Sequence, residues 1–161
     1  MEGSDELSVL AEIAIALAGF SGIVVAVQIR DHAHPWDTFR AVALLITGFS
    51  MLVQALLPSS IHSFGVSGPS LWRLSSALCV VINLAPIIPV FRNIPADFTS
   101  SPYYRQIVFG SMAVVAVVAY SINALALGTL GSFSLFYLGV LMNIPSTAVQ
   151  FLAVIVIRPQ R

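Results

Sequence analysis

Residues 7–29 read LSVLAEIAIALAGFSGIVVAVQI, and this stretch decides the class of the chain. It runs 23 residues, and about 20 apolar residues cross the hydrocarbon core of a bilayer. Glu12 within it is the only carboxylate in any of the long apolar runs. The residues before it, MEGSDE, are acidic and lack arginine. A cleavable signal peptide carries a positive segment there, so the stretch is expected to be a retained membrane helix.

Working outward, the composition agrees. Of the 161 residues, 58% are hydrophobic and 9% charged; soluble domains carry roughly 45–50% apolar and about 25% charged residues. So few charges cannot cover the surface of a water-soluble fold, and the expected class is an integral protein of the cell (plasma or inner) membrane. The formal net charge is zero and no basic run occurs, which argues against a nucleic-acid partner. There is no lysine, which excludes Schiff-base chemistry of the retinal or pyridoxal kind. Cys79 is the single cysteine, so neither an internal disulfide nor a cysteine-rich metal site can form. No cofactor is expected.

Five apolar runs approach the spanning length: 7–29, 41–62, 71–91, 104–127 and 133–157. They predict an all-α, polytopic transmembrane bundle of about five helices in one domain over residues 1–161. Connections are short, so neighbours are expected to be antiparallel, with no room for a soluble domain. Pro58 weakens the end of the second run and Pro145 interrupts the fifth, so a four-helix reading with one interfacial segment stays open. Five helices and no internal repeat fit poorly with an inverted-repeat transporter. Arginine placement orients the chain: Arg30, Arg40, Arg92, Arg105, Arg158 and Arg161 fall on one side and only Arg73 on the other. By the positive-inside bias this predicts N-out, C-in. Trp72 and Phe133 then sit at the outer interface, and Trp36, Tyr103 and Tyr104 at the inner one.

Within the first run Ala14, Ala18, Gly22 and Ala26 recur every four residues, with Gly19 beside them. Small residues at this spacing let helix backbones approach closely in lipid. The stripe reads either as an oligomer interface around a pore or as packing inside one bundle. Glu12 lies on its edge and is expected to face protein. A carboxylate at membrane depth must be paired, hydrated or protonated, which makes Glu12 a candidate cation or proton site. Alternatively it sits wet at the outer interface, with 13–29 just long enough to span.

Each of the other runs carries a carboxamide: Gln54, Asn83, Asn123, and Asn143 with Gln150. In the N-out topology Glu12, Gln54, Asn123 and Asn143 share the outer half of the membrane and are expected to converge. Such a cluster lines a polar pathway or forms an ordinary interhelical hydrogen-bond network. Gln54, Asn83 and Asn143 each precede a proline, at Pro58, Pro86 and Pro145. Proline frees the carbonyl four residues back, for Pro58 that of Gln54 itself.

The loop Asp31-His32-Ala33-His34-Pro35-Trp36-Asp37 alone resembles a ligand set, but three or four convergent ligands are needed, and solvated side chains are the expected state. H-E-x-x-H, G-x-S-x-G and phosphate-loop motifs are all missing, and Ser75, Ser76 and Ser146 have no identifiable base, so no enzyme is expected. The leading expectation is a homo-oligomeric channel or carrier for an ion or small solute, with a monovalent cation or proton as cargo. The alternative is a non-enzymatic subunit, assembly or interaction protein of a larger membrane complex. The two differ in whether the polar residues line a route or pair off.

Overall fold

The computed structural model describes residues 3–30, 35–85, 111–125 and 132–156. Among them are five α-helices and no strand: α1 (Ser4–Arg30), α2 (Pro35–Ser63), α3 (Pro69–Leu84), α4 (Ser111–Leu125) and α5 (Phe133–Val156). Two of these, over Ser4–Ile23 and Ala43–Ser63, are long and apolar enough to cross a membrane.

The helices start where local chemistry favours it rather than where hydropathy rises. α1 begins three residues before the expected boundary, because Asp5 and Glu6 occupy its first turn and carboxylates stabilise the positive end of the helix dipole. α2 begins with Pro35, whose missing N–H and fixed φ suit a first helical position. Gly65 (φ 87°) and Gly68 (φ 65°) make the left-handed turn between α2 and α3, and Pro69 opens α3. Neither internal proline breaks its helix: α2 runs through Pro58 and α5 through Pro145. The expected interruption of the fifth run at Pro145 is therefore corrected to one continuous helix. Residues 86–91 of the third run, and 104–110 and 126–127 of the fourth, lie outside the described residues.

The connectivity is up and down. Ala18 and Gly48 are 30 positions apart, about 45 Å on a single helix. Yet a Cβ built on Gly48 would meet the Ala18 Cα at 3.2 Å, so α2 folds back on α1. At one end of the bundle Trp72, near the start of α3, packs at a tilt against Phe133 at the start of α5, with ring centroids 5.2 Å apart. The start of α1 is there too, since a Cβ on Gly3 would collide with the Phe133 ring. Trp72 and Phe133, expected at the same interface, thus meet. α5 is the central helix, packed against each of the other four.

The small stripe divides. On α1, Leu7, Ala11, Ala14, Ala18 and Ser21 are buried, a spacing that alternates four and three residues. A strict four-residue repeat advances about 40° round the helix at each step. By Gly22 and Ala26 it has left the contact face. A Cβ added at Gly19 or Gly22 would accordingly meet nothing within 4 Å, and Ala26 is exposed. The stripe is corrected to a packed half, Ala14 and Ala18, and an outward half, Gly19, Gly22 and Ala26.

Candidate functional site

Large apolar side chains fill the outer faces of the helices, so the polar side chains that are buried stand out. The clearest group joins α2, α4 and α5. The Tyr120 hydroxyl donates to Gln54 Oε1 at 2.8 Å, and Asn143 Nδ2 donates to the same oxygen at 2.9 Å. Asn143 Nδ2 also donates to the Gly139 carbonyl at 3.2 Å, and Thr147 Oγ1 to the Asn143 carbonyl at 2.8 Å. Gln54 is 1% exposed and Tyr120 fully buried. Tyr120 reaches this position because residue 139 is glycine: a Cβ there would collide with the tyrosine ring. Phe136 packs against that ring at a centroid distance of 5.7 Å, and the Cys79 thiol of α3 interacts with the Tyr120 hydroxyl.

The polarity of the group follows from its one backbone member. The Gly139 carbonyl can only accept, so the Asn143 atom facing it is nitrogen. That nitrogen needs an acceptor in Gln54, which places Oε1 toward Asn143 and Tyr120. Oε1 then accepts two bonds, while Gln54 Nε2 is buried without a partner among the described residues. An unmet buried donor costs about 1–3 kcal/mol. Ser75 Oγ, on α3, is the other described side-chain atom in this condition.

Asn123 forms a second node. Its Nδ2 donates to Ser76 Oγ at 2.8 Å and to the Ser132 carbonyl at 3.1 Å, and its Oδ1 accepts the Ser132 N–H at 3.0 Å. Both faces of this carboxamide are used. Asn83 is half-buried and donates to the Cys79 carbonyl one turn back at 2.8 Å, which keeps it within its own helix.

Of the residues expected to converge, Gln54 and Asn143 do so directly and Asn123 joins a separate node. Glu12 takes part in neither: its side chain is exposed on α1. The expectation that it converges with the carboxamides is corrected, and it is turned away from the described helices of its own chain, for the same reason that the stripe divides. Positions 12, 16, 19, 23 and 26 lie on the side of α1 opposite the seam and are all exposed. The Gln150 side chain lies outside the described ones, as do His32 and His34; among the described residues no group of three metal-ligating side chains occurs. Tyr120, Ser76, Ser132 and Gly139 are partners that the sequence does not reveal. A tyrosine in an apolar run reads as an interfacial anchor, and the only hint is that Tyr120 stands well inside its run.

Chemically, both nodes are neutral hydrogen-bond junctions between helices, with no ionised group among the described buried side chains. Compared with protein-family models, with curated protein sequences and with solved structures, the chain matches none.

Proposed function

We propose that the chain is a multi-pass helix bundle of the cell (plasma or inner) membrane, oriented N-out and C-in, that acts without enzymatic chemistry as a subunit, assembly or interaction protein. The membrane reading is supported by an inverted distribution of polarity. Phe20, Ile23, Phe49, Leu56, Val81 and Val114 are exposed while carboxamides are buried, the reverse of what water favours. The helices α1, α2 and α5 contain 27, 29 and 24 residues. At 1.5 Å per residue that is about 36–43 Å, against a hydrocarbon core of about 30 Å. The arginine asymmetry of the sequence supports the orientation.

The observation that carries the functional reading is the mutual pairing of Gln54, Tyr120 and Asn143. A route for an ion needs free polar groups succeeding one another along an axis. Here Asn143 Nδ2, the Tyr120 proton and Gln54 Oε1 are spent on one another and, of this group, only Gln54 Nε2 is left buried without a partner among the described residues. This ties helices together without a succession of free groups and leaves the outer faces to meet a partner.

A second reading keeps the channel, formed between copies of a homo-oligomer rather than inside one chain. One observation favours it: Glu12 is exposed near the middle of the apolar span Ser4–Ile23, where lipid contact is costly for a carboxylate. Gly19, Ile23 and Ala26 continue the same face, and a neighbouring copy would cover it. Vesicles holding the purified chain, loaded with a proton, sodium or potassium gradient, separate the two. Under the interaction reading wild-type vesicles hold every gradient, and the chain migrates from its native membrane in a larger particle than the purified protein. Wild-type flux that Glu12→Gln removes would overturn that reading in favour of the intersubunit channel.

A further inference from the structure

We propose that the side-chain nitrogen of Gln54 anchors a buried binding site for one small uncharged hydrogen-bond acceptor, a water molecule, where α2 meets α4 and α5. The site is defined by which hydrogen bonds are already spent. Asn143 Nδ2 uses its two hydrogens on Gln54 Oε1 and the Gly139 carbonyl. Gln54 Oε1 has both lone pairs engaged, by Asn143 and by Tyr120. Turning the Gln54 carboxamide over would set its nitrogen against the Asn143 nitrogen, donor to donor. Turning both over would set Asn143 Oδ1 against the Gly139 carbonyl, acceptor to acceptor. The arrangement therefore has one orientation, and it leaves the two N–H groups of Gln54 Nε2 buried with no partner among the described residues.

What fits must accept hydrogen bonds and carry no charge. The described buried polar side chains near and beyond this node are serines, a threonine and carboxamides, so an anion would have no counter-charge among them. Water satisfies the donors, needs no counter-charge and is small enough to sit between packed helices. Buried waters make about three hydrogen bonds, and the node offers a return acceptor. Tyr120 has given its proton to Gln54 Oε1, so its oxygen keeps a lone pair, beside the one that faces the Cys79 thiol, to receive a water hydrogen. Nε2 shares its carbon with Oε1, which puts the Tyr120 oxygen within two hydrogen-bond lengths of it, a span one water bridges. This inference does not depend on which functional reading holds.

The test uses the full chain in lipid nanodiscs, labelled with nitrogen-15 at glutamine side chains, and water itself as the probe. The Gln54 amide signal is assigned by its disappearance in Gln54→Met, or in the shape-conserving Gln54→Glu if the methionine variant fails to fold. Magnetisation passing from water to the Gln54 amide protons through space, with the sign of a long-lived complex, is the expected result. Tyr120→Phe removes the return acceptor and should weaken that transfer several-fold while the Gln54 signal persists. Absence of transfer in the wild type overturns the proposal. So does transfer by chemical exchange at bulk rates, which belongs to an open aqueous path, and so does through-space transfer from lipid or another chain segment in place of water.

Discussion

α2 meets the rest of the bundle through two kinds of contact. Against α1 it sets Gly48, with a space so small that a single Cβ would touch the Ala18 backbone at 3.2 Å. Against α4 and α5 it sets Gln54, which is held by donors from Tyr120 and Asn143. The first contact works by absence of side-chain volume, bringing backbones together so that many weak dispersion contacts form. The second works by directed bonds, each worth about 0.6–1 kcal/mol. They should fail in opposite ways: the α1 contact through added atoms, the α4–α5 contact through lost partners.

Gly48→Leu tests the first directly and carries the largest expected effect. Four carbons at a backbone contact force α1 away from α2, at the upper end of the ~1–3 kcal/mol typical of overpacking. The readout is thermal unfolding of the detergent-solubilised protein. A midpoint equal to wild type would mean that the two backbones do not touch at Ala18.

Asn123→Ala comes next, at about 2 kcal/mol, because it strands the Ser76 hydroxyl and the Ser132 N–H at once and takes from the Ser132 carbonyl one of its two donors, leaving only the Phe136 N–H at 3.4 Å. Asn123→Asp should recover little, since a carboxylate cannot donate to the Ser132 carbonyl. If alanine is tolerated without loss of stability, the second node is wet, and α4 and α5 are joined by packing alone.

A smaller effect is expected of Tyr120→Phe, which keeps the ring over Gly139 and deletes one donor, for a loss of about 0.6–1 kcal/mol. A larger loss would show that the hydroxyl does more than bond Gln54. Gly22→Leu should cost least, within about 0.5 kcal/mol, because the space beside Gly22 is open. Its informative readout is particle size in a mild detergent: a shift to smaller particles marks the outward half of the stripe as a contact between copies. Unfolding would place Gly22 back inside the bundle and undo the contrast with Gly48.

These expectations also separate what residue types reveal from what they do not. Apolar runs and their connections make the helices legible, and carboxamides within those runs point to Gln54, Asn123 and Asn143. Composition says nothing of azimuth beyond a turn or two. The four-residue stripe on α1 therefore reads as one surface, although its ends point about 120° apart. The same drift misplaces Glu12. Partners that belong to other helices stay hidden because pairing is set by tertiary register. Nothing in the string of letters distinguishes Tyr120, locked against a glycine on a helix nineteen positions later, from a tyrosine anchored at a membrane surface. Gly139 is informative only once the ring it accommodates is known. The carboxamide orientation at Gln54 is similarly out of reach, since it is dictated by one carbonyl.

The bonds between Asn123 and Ser132 bear on how the chain tolerates change. They staple the end of α4 to the residue before α5, two anchor points nine positions apart in the sequence. The two anchors hold those helix ends in register, and doubling the length of chain between two such anchors costs only about 0.6 kcal/mol in entropy. An epitope or a fluorescent reporter inserted between Gly128 and Thr129 would hang from a closed clasp, so this connection offers a site for grafting in which the cargo and the bundle do not pull on each other.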